Sequence, residues 1–542
     1  MLAASTSGKP LPGGTLEVRV HARKGRTVHT TRLVKAGEIV LVEAPTLLLV
    51  SPDLSHTTCA TCLRAVDPTA SLACAGCQRA CFCSAACQQA AHATPWLHSP
   101  PICSAYARLA ALGLPADEHA QLRFLLHALA LRHTQSPEAA ARYAALMDLV
   151  GQPGEADRAL AARFAPLLAE ALSGAGVPPP ALEVEEMATL LVKEQLNSYG
   201  VLASPQQQQR QQQQAVAAAV AGPASAAQKA EAGTSGKAAA DGDEQDEEDE
   251  EEEEERMLRG SAIYSQAALI NHECLPNVAR YDYFDCPPPH DAPSWAGLAP
   301  TSASTCTSGA ASAPTGGASA GGGGAPGGGA SALPLPAGVP GPTHVVFRAV
   351  HDLPPGTELA QSYVPLHWGL LERQLQCREV YGFACTCPRC QTESQWSDED
   401  EDSDDEDDVE EQEEAAGAGA EDMEEDGDGV AAAAAAGASA ADGDELEMEE
   451  LLRPITAPPG EEGPLESNYL HLFLLKYMCP RRGCHGTAAP PAPGSGLLEC
   501  NVCGGSRSEQ EFLRELERTR REEQRAAAAA AAARAGGRAG RR

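Results

Sequence analysis

Eight residues of metal-ligand type crowd into positions 59 to 103. Their spacing is Cys59-x2-Cys62-x11-Cys74-x2-Cys77-x5-Cys83-x3-Cys87-x10-His98-x4-Cys103. A Cys-x2-Cys turn points two thiolates at one ion, and eight ligands serve two tetrahedral zinc ions. Little apolar sequence separates them, so metal must supply much of the folding energy. Free buried thiols are the bland alternative, and RING, LIM and related modules are competing metal readings. His92 is an alternative ligand to His98, and Cys81 competes with Cys83.

Three further motifs follow in order. They are Leu269-Ile270-Asn271-His272-Glu273-Cys274-Leu275-Pro276-Asn277, Gly356-Thr357-Glu358-Leu359-Ala360-Gln361-Ser362-Tyr363 and Tyr381-Gly382-Phe383-Ala384-Cys385-Thr386-Cys387-Pro388-Arg389-Cys390. Singly, each has an ordinary structural reading. An Asn-His pair is usually a satisfied turn, and a tyrosine at a strand end usually packs. Cys385, Cys387 and Cys390 are one ligand short of a zinc site, and Cys274 completes it if the segments meet. Cys479-x4-Cys484 and Cys500-x2-Cys503 form a further ligand set, with the spacing of a zinc ribbon. Cys286, Cys306 and Cys377 have no evident partners and read as ordinary thiols.

The elements that must position these residues are interrupted. The chain has 542 residues, with only 4% aromatics but 50 Gly and 41 Pro. Long stretches therefore cannot bury a core. The net charge of −35 is concentrated: 241–255 holds 13 acidic residues and 398–450 holds 26. Neither run contains Lys or Arg, and the remainder is mildly basic, with 36 acidic against 40 basic residues. Residues 16–50 read as strands, with alternation at Leu16–Val20 and a β-branched run at Ile39–Val42. Residues 104–196 read as helices, with Leu122, Leu125, Leu126 and Leu129 on one face. Strand-like pieces resume at Ala262 and at His344–Val350. A last helix starts at Ser508, with Glu511 completing a capping box. It runs into an Ala tract and a basic tail. No signal peptide and no membrane-spanning run are evident. The chain reads as soluble and intracellular, in nucleus or cytoplasm, where cysteines serve metals more often than disulfides.

Phe82-Cys83-Ser84-Ala85-Ala86-Cys87-Gln88 closely resembles the MYND signature. The three later motifs together resemble the SET domain, in its order. Lys24-Gly25-Arg26-Thr27-Val28 and Gly37-Glu38 match its N-terminal strands. Gln195-Leu196-Asn197-Ser198-Tyr199-Gly200 resembles the segment that precedes the Asn-His motif. The chain is thus similar to SET and MYND domain-containing protein lysine methyltransferases over about 16–202, 256–286 and 343–392.

The resemblance implies an α+β fold of small sheets with a knot-like crossing. SET pieces would lie at 14–50, 183–202, 256–286 and 343–376. Between them would come the MYND finger (59–103), a helical insertion (104–182) and low-complexity insertions (203–255 and 287–342). A post-SET segment (377–392), an acidic disordered linker (393–462), a zinc-ribbon-like module (466–505) and the terminal helix and tail (508–542) would follow. The MYND cross-brace would put Cys59, Cys62, Cys83 and Cys87 on one zinc. Cys74, Cys77, His98 and Cys103 would hold a second. A post-SET zinc would take Cys274, Cys385, Cys387 and Cys390. Cys479, Cys484, Cys500 and Cys503 would hold a fourth.

Further roles follow from the same resemblance. S-adenosylmethionine would contact Lys24, Gly25, Asn197, Asn271 and His272, with Phe383 packed on its adenine. Tyr363 would be catalytic. The substrate would be a lysine of a histone or another basic protein, and the MYND finger would bind proline-rich segments. Thr27 stands where the family usually has glycine, so an unusual φ there would strain it. Glu273 and Ala268 replace serines common in the family. The rival reading is an inactive adaptor that binds through the finger and acidic arms. Sequence-specific DNA binding and membrane association are not expected: no basic recognition helix is present, and the acidic runs repel phosphate.

Overall fold

A computed structural model describes residues 8–173, 183–203, 207, 209, 257–286, 335, 336, 338–396, 454–458, 461–481, 483, 484, 486–521 and 525. Both acidic runs, Cys306 and the C-terminal tail beyond 525 lie outside these residues. Among them the architecture is mixed, with helices packed around small sheets. No helix of the described residues is long and apolar enough to cross a membrane.

The sheets join segments far apart in sequence. Ile39–Glu43 pairs with Val345–Ala349, which pairs in turn with Val278–Tyr281. Leu47–Val50 pairs with Leu258–Ile263, whose other edge carries Ser198–Leu202. Leu16–His21 and Gly25–Thr30 form an N-terminal hairpin, edged by Lys9–Pro10. Strands before the cysteine block are therefore completed by strands well beyond it. The inserted segments are excursions from one core, and long excursions cost little closure entropy.

The residues predicted as helical form Ala116–His133, Pro137–Met147, Glu155–Leu172 and Val184–Asn197. Leu122, Leu125, Leu126 and Leu129 are all buried. The helix that carries them is buried beyond one face, because Arg123, Phe124, His127 and Leu131 are buried as well. It runs through the middle of the core, between the cysteine block and the Leu47–Val50 sheet. Arg123 stacks over Tyr106 at 4.4 Å, which lets a cation lie inside.

The ends of two segments expected to be disordered are docked. Leu335 and Val339 pack with Tyr281 and Val346. The Ile455 N–H donates to Ser394 Oγ at 2.8 Å, and Glu461 pairs with Arg23 at 3.3 Å. The expected linker of 393–462 is therefore too wide at both edges. The terminal helix spans 509–521, and Ser508 and Glu511 exchange the two hydrogen bonds of a capping box.

Candidate active site and metal centres

Two segments are laced together at the centre. Asn271–His272 pairs in parallel with Ala360–Gln361. Asn277 closes the loop: its amide donates to the Glu358 carbonyl at 2.8 Å and accepts from the Ala360 N–H at 2.9 Å. On the far side, the Leu359 N–H donates to the Val28 carbonyl at 2.7 Å. The hairpin, the Asn-His motif and the tyrosine motif thus meet at one place.

Tyr363 stands at the end of this lacing. Its backbone N–H donates to His272 Nδ1 at 3.0 Å, and its hydroxyl donates to the Ile270 carbonyl at 2.9 Å. His272 Nε2 lies 3.3 Å from Cys274 Sγ. With Nδ1 accepting, the proton belongs on Nε2, and the ring ties Tyr363 to the cysteine cluster. Burial holds the Tyr363 hydroxyl well above the usual tyrosine range, so it stays neutral. A cavity of about 270 Å³ opens beside it, walled by Tyr363, Tyr199 and Tyr381. The Tyr363 and Tyr381 rings are 4.9 Å apart. Gln361 donates to the Tyr199 hydroxyl at 2.8 Å and so fixes that wall.

The residues expected to hold a donor are partly gathered. Gly25 takes φ +70, and a Cβ there would meet open space. The Asn271 amide donates to the Arg26 carbonyl at 3.1 Å. The Phe383 ring lies 5.9 Å from that of His272. Asn197 belongs to another wall, where its amide donates to the Val150 and Lys193 carbonyls, each at 2.8 Å. Residues 148–150 connect the two sides, because Arg26 also bonds Asp148 at 2.6 Å. Open space at the Gly25 turn and the aromatic face of Phe383 leave room for a bound small molecule. Thr27 is unstrained: it sits in strand register opposite Arg19 and is absent from the positive-φ residues.

Sequence reasoning gave no role to Tyr199, Tyr381, Gln361 or Glu358, although each stood inside a quoted motif. Glu358 pairs with Lys24 at 3.0 Å and reaches Asn271 at 3.4 Å. Tyr199, Tyr381 and Gln361 each stand two residues from an assigned residue, which was the available signal; Glu358 stands five from Tyr363. Nothing in Leu149-Val150-Gly151 announces its part.

Sixteen ligand-type residues converge in four groups, each with its ligand atoms within 4.8 Å of one another. The groups are Cys59, Cys62, Cys83 and Cys87; Cys74, Cys77, His98 and Cys103; Cys274, Cys385, Cys387 and Cys390; and Cys479, Cys484, Cys500 and Cys503. His98 is the histidine of its group. Cys81 points away and donates to the Thr58 carbonyl at 3.2 Å. Cys377 packs against the third group without joining its ligands.

The local chemistry of each group suits a cation. Backbone N–H groups donate to the sulfurs of Cys77, Cys500 and Cys503 at 3.3 to 3.4 Å and orient them. Hydrogen bonds from neighbouring thiols pull Cys83 and Cys390 far below the usual thiol range. Gly76 leaves no room for a Cβ, which would lie 2.8 Å from Cys103 Sγ. Beside the third group, buried Arg373 and Arg389 share Glu393, leaving a net positive charge next to the thiols. Each group could hold one metal ion.

The chain is 26% identical over 526 residues to the histone-lysine N-methyltransferase ASHR2 of Arabidopsis thaliana, covering 93% of this chain and 98% of that protein. It is 40% identical over 55 residues to the histone-lysine N-methyltransferase SMYD3 of Homo sapiens, which covers 10% of this chain and 13% of that one. No protein-family model matches the chain.

Proposed function

We propose, from the chain's similarity to two histone-lysine N-methyltransferases, that it is a SET and MYND-type protein-lysine N-methyltransferase using S-adenosylmethionine. The substrate class is a lysine of a histone or another basic protein. In this reading the lacing of 271–277 with 357–363 is the knot-like crossing of a SET domain. Residues 59–103 are a MYND finger that takes proline-rich segments. Zinc fills all four ligand groups: two in the finger, one behind the active site and one in the C-terminal ribbon.

One observation carries the reading. Tyr363 links the polar Asn271–His272 pair to a cavity walled by two more tyrosines. The donor, when bound, supplies an electrophilic methyl group on positively charged sulfur. Lys24, Gly25, Asn271 and Asn197 would hold its amino-acid and nucleoside ends, with Phe383 against the adenine. The aromatic walls exclude water from the incoming amine, whose unperturbed pKa is about 10.4. That desolvation disfavours the ammonium and leaves a lone pair for attack. The nitrogen–methyl bond forms as the sulfur–methyl bond breaks, and the amine proton leaves to water. The neutral Tyr363 hydroxyl orients the amine; it is not the base.

The test is transfer of labelled methyl from the donor, with core histones and a soluble protein extract offered separately. The parent chain labels lysine, and Tyr363→Phe lowers the rate by at least about tenfold with donor affinity retained. No label on either pool, together with no donor binding by zinc-loaded protein, would sink the reading in favour of the adaptor. Nothing among the described residues favours that alternative.

A further inference from the structure

The fourth cysteine group is remote in sequence from the catalytic motifs. It is not remote in space. Residues 479–508 build a small antiparallel sheet from Ala488–Ala489, Leu497–Cys500 and Ser506–Ser508. That sheet is fastened to the back of the Val278–Tyr281 strand. The Tyr281 hydroxyl donates to the Glu499 carbonyl at 2.6 Å and accepts from the Ala489 N–H at 3.2 Å. Buried Arg348 pairs with Glu499 at 2.5 Å and lies over the Tyr281 ring at 4.1 Å. Gly37, at φ +79, lies so close to the module that a Cβ would come within 2.7 Å of the Ala492 backbone. The module is a fixed part of the core.

Two of its residues reach the cavity beside Tyr363. They are Thr487 and Asn501. Asn501 sits inside the Cys500-x2-Cys503 turn. Its amide donates to the Arg280 carbonyl at 2.8 Å, and its oxygen accepts from the Thr487 N–H at 2.8 Å. Those bonds consume the Asn501 amide in holding the wall. Half-buried Thr487 lines the cavity. The lining is therefore shared: Tyr199, Tyr363 and Tyr381 come from the core, Thr487 and Asn501 from the module, and the Arg280 guanidinium lies 4.9 Å over the Tyr199 ring.

We propose that the C-terminal module is a substrate-specificity wall. Thr487 contacts the protein segment that flanks the target lysine, and Asn501 is a positioning residue that fixes Thr487 there. This rests on the methyltransferase reading. The wall meets uncharged polar groups of an extended segment, such as its backbone amides and small hydroxyl side chains. Of the residues assigned to the donor, Asn197 lines this cavity too, whereas Lys24, Gly25, Asn271 and Phe383 lie outside its lining.

The experiment measures methylation kinetics and donor affinity on the full-length, zinc-loaded chain. Thr487→Phe narrows the cavity from the module's side. The expected result is a KM for protein substrate raised about tenfold or more, with kcat and donor Kd within twofold of the parent. Thr487→Ser, which keeps the hydroxyl and the small size, restores a KM near the parent's. If the Phe variant loses zinc or donor binding, Thr487→Leu gives the same reading with less bulk. Transfer by the parent together with an unchanged KM in the enlarged variants overturns the wall alone. No transfer by the parent overturns both the wall and the reading beneath it.

Discussion

Gly76 lies within the Cys74-x2-Cys77 turn, where an added methyl would sit 2.8 Å from Cys103 Sγ. A free thiol would swing aside at little cost. A thiol bound to metal has no such freedom. Gly76→Ala is therefore expected to weaken one of four bound zinc ions by roughly 10- to 100-fold, as supporting residues of metal sites do. Elemental analysis after mild chelation should give near three zinc per chain against four in the parent. Three zinc in both would argue against metal in that group, and four in both would show that the turn absorbs the added methyl. The neighbouring turn makes a second residue-scale point. Gln78 and Leu63 each follow a Cys-x2-Cys pair and take φ of 53° and 55°. Gly504 takes φ +66 at the same place in the ribbon. Exposed Gln78 has no packing reason to stay, so Gln78→Gly should stabilise the chain by roughly 0.5–1 kcal/mol in urea unfolding. The metal groups were the most legible feature of the sequence, because ligand spacing within a turn is a local property. Cys274 was also legible, since three cysteines at 385–390 demand a fourth. The choice of His98 over His92 was not, because it depends on how the helix Ala85–Ala93 packs over Phe82.

At the scale of elements, the helix Ala116–His133 shows how far periodicity reaches. Its leucine stripe was visible; its burial beyond one face was not. Polar His127 and Arg123 disguise a central helix as an amphipathic one. His127 lies fully inside, with Nδ1 donating to the Trp96 carbonyl at 2.6 Å and Nε2 accepting from the Tyr106 hydroxyl at 2.7 Å. That bonding needs the neutral ring. Burial lowers its pKa to about 4. Protons thus bind the unfolded chain first as pH falls below about 6.5. The stability linked to His127 is whole above that pH and declines through the window from 6.5 to 4. Between pH 6.5 and 5 the decline should be about 1.5 kcal/mol. His127→Gln removes the titration, so its urea midpoint should fall less steeply over that range than the parent's. Parallel slopes would mean that His127 is protonated alike in both states. Contacts such as that of Tyr281 with Glu499 were beyond sequence reasoning for a related cause. They join elements more than a hundred residues apart, and no pattern in either segment records the other.

At the scale of the whole molecule, the acidic runs and the described core are separate stretches of sequence. The excursion 204–256 begins and ends at one ladder, where Leu202 pairs with Leu258 and the Ala203 N–H donates to the Met257 carbonyl at 2.7 Å. Its ends are thus neighbours, and its interior can be shortened without moving them. Gln207 should be spared, because its amide donates to the Thr57 carbonyl at 2.7 Å and is buried there. Replacing 210–256 with four Gly/Ser residues cuts the closed loop from 53 residues to about ten, which lowers the closure cost by about 1–2 kcal/mol. Unfolding in urea should show that gain, with zinc content unchanged. The same deletion removes the 13 carboxylates of 241–255. Opposite charge raises the encounter rate of a basic protein with the site, and salt erases the effect. Methylation of a basic protein should therefore fall several-fold at low salt and match the parent at high salt, while a neutral lysine peptide reacts alike with both. If the basic protein is also methylated at the parental rate at low salt, the acidic run serves solubility. The remainder of the chain, mildly basic once the acidic runs are set aside, then gives no electrostatic help in recruiting such a substrate.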